Sequence, residues 1–299
     1  MTLPEIIQIQ EILKIPKTGE YDQFTDAAVR NFQIKNNLDP TGIIDNETRE
    51  KLIPDQTIGF ATTDLTEQPT IKKYLLQPNE YFKGPTDKKS LFLHFTAGWE
   101  NPYNVVKDWE NDKRDRIGTQ FVIGGRNCQT LSEKYDGEIV QCFPDYGCYG
   151  WHLGIGNTAV HRESIGIECC AFGPLELRKG DYFSWANKRV APSEIVDLKR
   201  DFRGYRYFHK LSDNQISSLK FLILKIGNDN NIDVRSGLQK WLKNSKDPFT
   251  AFDYNQNIIE GDIHGLFTHT NVSGKNKWGK YEKFDLFPQP EIIEMLLSL

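Results

Sequence analysis

The chain has 299 residues, of which 38% are hydrophobic, 12% aromatic and 26% charged, with a formal net charge of -4 at pH 7. That profile suits a globular protein with one large domain and a small accessory one, and it excludes a low-complexity or largely disordered chain. The mildly acidic balance leaves no footprint for nucleic acid or an anionic membrane as the main partner.

The first element is a helix carrying Ile6, Ile7 and Leu13. Its surroundings do not read as a signal peptide, because Glu5 precedes the first basic residue, Lys14, and polar residues interrupt the apolar ones. Thr18-Gly19, Asp22 and Thr25 recur as Thr41-Gly42, Asp45 and Thr48, a period of 23 residues that implies two similar half-units. Thr25 is placed to cap a second helix, with Ala28, Val29 and Phe32 at helical spacing, and Thr48 to cap a third with Leu52. Residues 1–55 thus read as a three-helix module, and the polar, unpatterned text over 56–69 as a linker.

From residue 70 onward short apolar runs alternate with helical patterns. Ser90–His94 suits a buried strand, Gln120–Ile123 and Glu138–Phe143 a hairpin with an unusually long connection, and Ser164–Cys170 a further strand. Helical spacing appears over Tyr103–Trp109 and over Asp213–Ile226, where Ile216, Leu219, Leu222 and Ile226 give a broad apolar face. The expected fold class over 70–299 is α/β, a mixed central sheet flanked by helices. Cys128, Cys142, Cys148, Cys169 and Cys170 are odd in number and lack a Cys-x-x-Cys pair, which points to a chain made without a signal peptide and folded reduced in the cytoplasm. No apolar run reaches the roughly 20 residues of a membrane span, so no membrane insertion is expected.

Two positions stand out chemically. His94 closes an apolar strand, a rigid edge from which a side chain can reach a cleft, although a lone histidine there more often serves as a hydrogen-bonded core residue. In Ser164–Glu168, strand alternation sets Gly166 and Glu168 on the face opposite Ile165 and Ile167; an acid in so apolar a strand needs either a partner such as arginine or a task. The aromatics Tyr182, Phe183, Trp185, Tyr205, Tyr207 and Phe208 serve either as local core or as stacking faces for sugars.

The string Thr25–Gln33, followed by Leu38-Asp39-Pro40-Thr41-Gly42, resembles the helical peptidoglycan-binding module of many wall hydrolases. Leu93-His94-Phe95-Thr96-Ala97-Gly98, Thr268-His269-Thr270-Asn271 and Lys283-Phe284-Asp285-Leu286-Phe287-Pro288 together resemble the zinc-dependent N-acetylmuramoyl-L-alanine amidases, the family that includes phage amidase lysozymes and animal peptidoglycan recognition proteins. This second resemblance runs from about residue 70 to 290. It implies an amidase-like fold, bacterial peptidoglycan as substrate and Zn²⁺ as cofactor, held by His94, His269 and Asp285. It also implies Glu168 as general base and Lys283 as the group that stabilises the oxyanion. Gly150-Trp151-His152-Leu153-Gly154 resembles a family string whose histidine lines the substrate cleft, so His152 is either a substrate contact or a core hydrogen-bonding residue.

The chain also departs from the family. His269 and Asp285 are farther apart than is common, and the insert offers Lys275, Lys277 and Lys280 as competitors of Lys283. Thr119 stands where some phage relatives carry a catalytic tyrosine, and residues 173–262 form a long insertion. Arg203-Gly204-Tyr205-Arg206-Tyr207 resembles a segment of phage-encoded amidases, which implies a lysis enzyme that reaches the wall through a holin-type partner. His161 and His264 fall in no family string. A non-catalytic peptidoglycan receptor would lack the third ligand, while a wall glycosidase or endopeptidase would leave the histidine strings unexplained.

Overall fold

The computed structural model describes residues 3–19, 21–52 and 69–299. The chain divides into two compact units, Met1–Glu67 and Gln68–Leu299. The expected linker lies outside the described residues except for Pro69.

The first unit holds helices α1 (Leu3–Ile12), α2 (Gln23–Lys35) and α3 (Asn46–Leu52). Each half of its repeat is wired around one buried glutamine. Gln10 Nε2 donates to Thr18 Oγ1 at 2.8 Å and to Thr25 Oγ1 at 3.0 Å, and Oε1 accepts from Gly19 N at 3.0 Å. Gln33 repeats the set with Thr41 at 3.1 Å, Thr48 at 3.0 Å and Gly42 N at 2.9 Å. The expected caps are corrected by this wiring. Thr25 and Thr48 are buried against the glutamines, and Asp22 and Asp45 do the capping, each accepting from the threonine amide at 2.8 Å. Gly42, at φ +72, takes a left-handed turn in which an added Cβ would lie 2.1 Å from Asp26 Oδ1.

The second unit begins with β1 (Ile71–Lys73), β2 (Phe82–Lys83), β3 (Ser90–Phe95), α4 (Pro102–Glu110), β4 (Phe121–Ile123) and β5 (Ile139–Gln141). It continues through β6 (Cys148–Tyr149), α5 (Thr158–Arg162) and β7 (Ser164–Cys169). The stretch expected as an insertion then holds β8 (Pro174–Arg178), β9 (Asp181–Ser184), β10 (Arg189–Val190), β11 (Ile195–Phe202) and β12 (Tyr205–His209), followed by α6 (Asp213–Asp229), α7 (Leu238–Asn244) and α8 (Gln256–Glu260). Strand β13 (Gly265–Thr268) and helix α9 (Pro290–Leu297) complete it.

The main sheet has six strands in the order β1-β5-β4-β7-β3-β13. All neighbours run parallel except β4 and β5, which form the expected antiparallel hairpin, so the sheet is mixed. Leu91, Leu93, Ile165 and Ile167 face α6 and α9, whose Ile216, Leu219, Leu222, Ile292 and Leu296 close one layer of core. Each such side chain contributes about 1.5–3 kcal/mol by leaving water. α6 starts on a capping box in which Ser212 and Gln215 satisfy each other's backbone amides. On the opposite face, Val106 of α4 packs on Val122 and Val140, and Phe92 packs with Val160, Ile258 and Phe267. The polar site opens on this second face. Strands β8 to β12 form a separate five-stranded antiparallel sheet, in the order β10-β9-β8-β12-β11. No helix among the described residues is long and apolar enough to cross a membrane.

Candidate metal centre and cleft

Three neighbouring parallel strands, β7, β3 and β13, end at the site, the end of an open α/β sheet where ligands bind. His94 pairs in register with Glu168, and His269 follows β13 directly. Asp285 is brought in by the return of the chain before α9, where its own carbonyl accepts from Thr270 N at 2.8 Å. His94, His269 and Asp285 are all buried and form the one group of potential metal donors among the described residues. His94 Nδ1 lies 3.1 Å from His269 Nδ1 and 3.1 Å from Asp285 Oδ2, and His269 Nδ1 lies 2.9 Å from that same oxygen.

The surrounding hydrogen bonds fix where the protons are. His269 Nε2 is 2.8 Å from the Leu153 carbonyl, which can only accept, so Nε2 carries the hydrogen. Ser164 Oγ donates to the His161 carbonyl at 3.3 Å and therefore accepts from His152 Nε2 at 2.9 Å. That leaves His152 Nδ1 as acceptor for His94 Nε2, 3.1 Å away. With each ring in its neutral form, both Nδ1 atoms then present lone pairs beside the carboxylate oxygen. Burial holds His94 down to about 4 and His152 well below its ordinary value, so both rings are neutral near pH 7. Two imidazole nitrogens and a carboxylate oxygen that converge in this way fit a divalent cation such as zinc, whose tetrahedral ligands sit about 3.3 Å apart.

Glu168 projects from β7 beside this cluster. Among the described residues its buried Oε2 has no hydrogen-bond partner, and the charges that act on it are those of Asp285 and Lys283 and no arginine, so a structural arginine pair is not what the strand provides. Burial and then the Asp285 charge push its carboxyl well above the ordinary value, while Lys283 draws it back. Gly166, two residues earlier on the same face, has to lack a side chain, because a Cβ there would stand 2.5 Å from Thr119 Cγ2 and 3.0 Å from His152 Nδ1. Thr119 is buried and bonds its own strand through the Phe121 carbonyl at 3.0 Å.

These residues line a cleft of about 530 Å³. Lys283 is the lysine of the 275–283 loop that borders it; Lys275 and Lys277 lie over the rings of Tyr281 and Trp278. His152 reaches the cleft with one edge while its ring backs His94. His161 supports the layer behind, accepting from His152 N at 3.3 Å, and His264 is exposed at a different pocket. All five cysteines are buried and free.

Arg203 was not singled out by any motif role, yet it ties the site together. It occupies a two-residue hairpin turn between β11 and β12 at φ 54. Its guanidinium donates to the carbonyls of Ser273 and Lys283 at 2.8 Å each and of Thr270 at 2.6 Å, bracketing the segment that ends at Lys283, two residues before Asp285. The sequence signal for it was the Arg-Gly pair at a strand-to-strand turn.

Residues 4–52 match the family model described as "Putative peptidoglycan binding domain". Among solved structures, the chain is similar to a mutant endolysin from Bacillus subtilis at 19% identity, covering 56% of this chain and 80% of that one with a TM-score of 0.35. It is also similar to PlyL at 15% identity, covering 69% and 84% with a TM-score of 0.36. A third likeness is to the N-acetylmuramyl-L-alanine amidase AmiD from E. coli, at 18% identity over 61% and 60% with a TM-score of 0.31. No curated protein matches the chain.

Proposed function

We propose that the protein is a zinc-dependent peptidoglycan amidase that hydrolyses the bond between N-acetylmuramic acid and L-alanine. The reading is carried by the convergence of His94 Nδ1, His269 Nδ1 and Asp285 Oδ2 next to the unpartnered Glu168 Oε2. A zinc ion held by the three donors supplies Lewis acidity toward a carbonyl and acidifies water toward a pKa of about 7. Asp285 contributes the negative charge, and the His94–His152–Ser164 chain fixes the tautomer that leaves Nδ1 free.

Glu168 accepts the proton of the attacking water and returns it to the nitrogen of the leaving L-alanine, so one group serves as base and then acid. Lys283 borders the cleft, where its ammonium faces the oxygen that becomes negative as the carbonyl turns tetrahedral. The helical first unit adds a second attachment to the same polymer, which raises the local concentration of scissile bonds without new catalytic contacts. In the same reading, the enzyme is made in the cytoplasm and released to the wall through a holin-type partner to lyse the host.

Digestion of purified peptidoglycan with and without a chelator tests the chemistry. New L-alanine amino termini that disappear on chelation and return with zinc are expected. New reducing sugar ends, or activity that survives His269→Ala together with Asp285→Ala, would sink the reading.

A further inference from the structure

Of the six aromatics between Tyr182 and Phe208 that serve either as core or as sugar contacts, four pack away from the cleft, and Tyr205 and Trp185 border it. Phe208 is buried and stacks on Phe287 with centroids 4.4 Å apart, and Tyr182 meets Tyr207 edge-on at 4.9 Å. Phe183 lies under Arg178 at 5.0 Å, and Tyr205, although it borders the cleft, has its ring engaged edge-on by Phe284 at 5.3 Å. Trp185 is different. It follows β9 of the antiparallel sheet, is 73% exposed, and borders the same cleft as His94 and Glu168. Its Nε1 donates to the Ala97 carbonyl at 2.8 Å, three residues beyond His94. That bond pins the edge of the indole and leaves its face free.

We infer that the antiparallel sheet supplies a saccharide-binding subsite centred on Trp185, for an N-acetylated amino sugar of the glycan strand. The inference rests on the wall-polymer reading above and names the part of the polymer held at this wall of the cleft. A flat indole face pairs with the C–H face of a pyranose, and Glu176 on the same wall offers carboxylate oxygens to hydroxyl or acetamido N–H donors. Glu176 is already ion-paired with Arg178 at 3.0 Å, so its charge is matched and a neutral ligand suits it better than the cationic side chain of a stem peptide. The position beside Ala97 places the subsite along the polymer from the metal donors.

All six tryptophans lie between Trp99 and Trp278, within the second unit, so their indole N–H resonances report on that unit and not on the first. In the ¹⁵N-labelled full chain, the resonance missing from Trp185→Ala identifies Trp185. Titration with the β-1,4-linked tetramer of N-acetylglucosamine is expected to shift that resonance saturably. The affinity read from Trp109 and Trp151, which also border the cleft, is expected to weaken about tenfold in Trp185→Ala and less in Trp185→Phe, at unchanged melting temperature. A Trp185 resonance unmoved by the tetramer overturns the proposal. So does an affinity unchanged in Trp185→Ala, or a Trp185 shift produced by the free tripeptide L-Ala-γ-D-Glu-L-Lys in place of the sugar. Because the readout is binding, a failure to cut the amide leaves the subsite standing, and a failure to bind the tetramer leaves the amidase reading standing.

Discussion

The two faces of strands β3 and β7 are one pleat apart and stabilised by different physics. On one face Leu91, Leu93, Ile165 and Ile167 are fully buried beneath α6 and α9. On the other, His94, Gly166 and Glu168 meet His152, Thr119 and the cleft. The apolar face gains from area removed from water, a non-directional term that tolerates exchange of one aliphatic shape for another at small cost. The polar face depends on individual atoms: each imidazole nitrogen has one assigned role, and one methyl group at Gly166 has no room. Strand alternation lets a rigid hydrophobic core hold a site that could not hold itself.

The largest expected effect is on the polar face. Glu168→Gln keeps shape and removes the proton acceptor, so the rate of wall hydrolysis is expected to fall by about 10²–10⁴ while zinc stoichiometry by elemental analysis stays at wild type. A fall in zinc content of the same size would make Glu168 part of the metal cluster and blur the distinction. On the apolar face, Ile167→Ala is expected to cost about 2–5 kcal/mol in denaturant unfolding with kcat per folded molecule preserved. A catalytic loss out of proportion to the folded fraction would show that the faces are coupled.

Gly166→Ala probes the boundary. The new methyl presses on Thr119 and on the His152 ring that holds the tautomer of His94, so zinc affinity is expected to drop about 10–100-fold by competition with a chromophoric chelator, with apo stability lowered by about 1–3 kcal/mol from overpacking. The smallest effect concerns a buried histidine away from the metal donors. His209 is held down to about 4 by burial, and its Nδ1 accepts from Phe172 N at 3.1 Å. Between about pH 6.5 and 4 the unfolded chain binds more protons than the folded one, so this group's contribution falls as pH drops through that window and is flat above it. Replacing it by glutamine is expected to remove about 2 kcal/mol of the stability change between pH 7 and 5; an unaltered profile would mean that the ring titrates alike in the folded and unfolded chain.

Much of this arrangement is visible in sequence because it is periodic or local. The Ile-Gly-Ile-Glu alternation placed Gly166 and Glu168 together, and the apolar face of 213–226 and the 23-residue repeat each mark what the structure builds. The caps at Asp22 and Asp45 were misread because Asp-x-x-Thr offers two cap-capable groups. The choice between them is made by Gln10 and Gln33, eight and fifteen residues from the threonines they hold. The proton assignment at His269 hangs on the Leu153 carbonyl, 116 residues away, and the tie of Arg203 to Lys283 spans 80 residues; backbone carbonyls carry no sequence signature. Likewise the aromatic density of 173–262 showed that something packs there, but only the pairing of β8 to β12 separates Trp185 from its neighbours.

Arg203 gives the antiparallel sheet a meaning beyond its surface. Because one guanidinium joins the carbonyls of Thr270, Ser273 and Lys283, the sheet is guy-rope as well as wall. A shortened descendant, pruned by evolution or at the bench, would lose more than a rim: the long loop before Asp285 would come untied, and a new anchor would have to appear before the sheet could be discarded. Length in this loop and possession of the sheet are therefore expected to be inherited together.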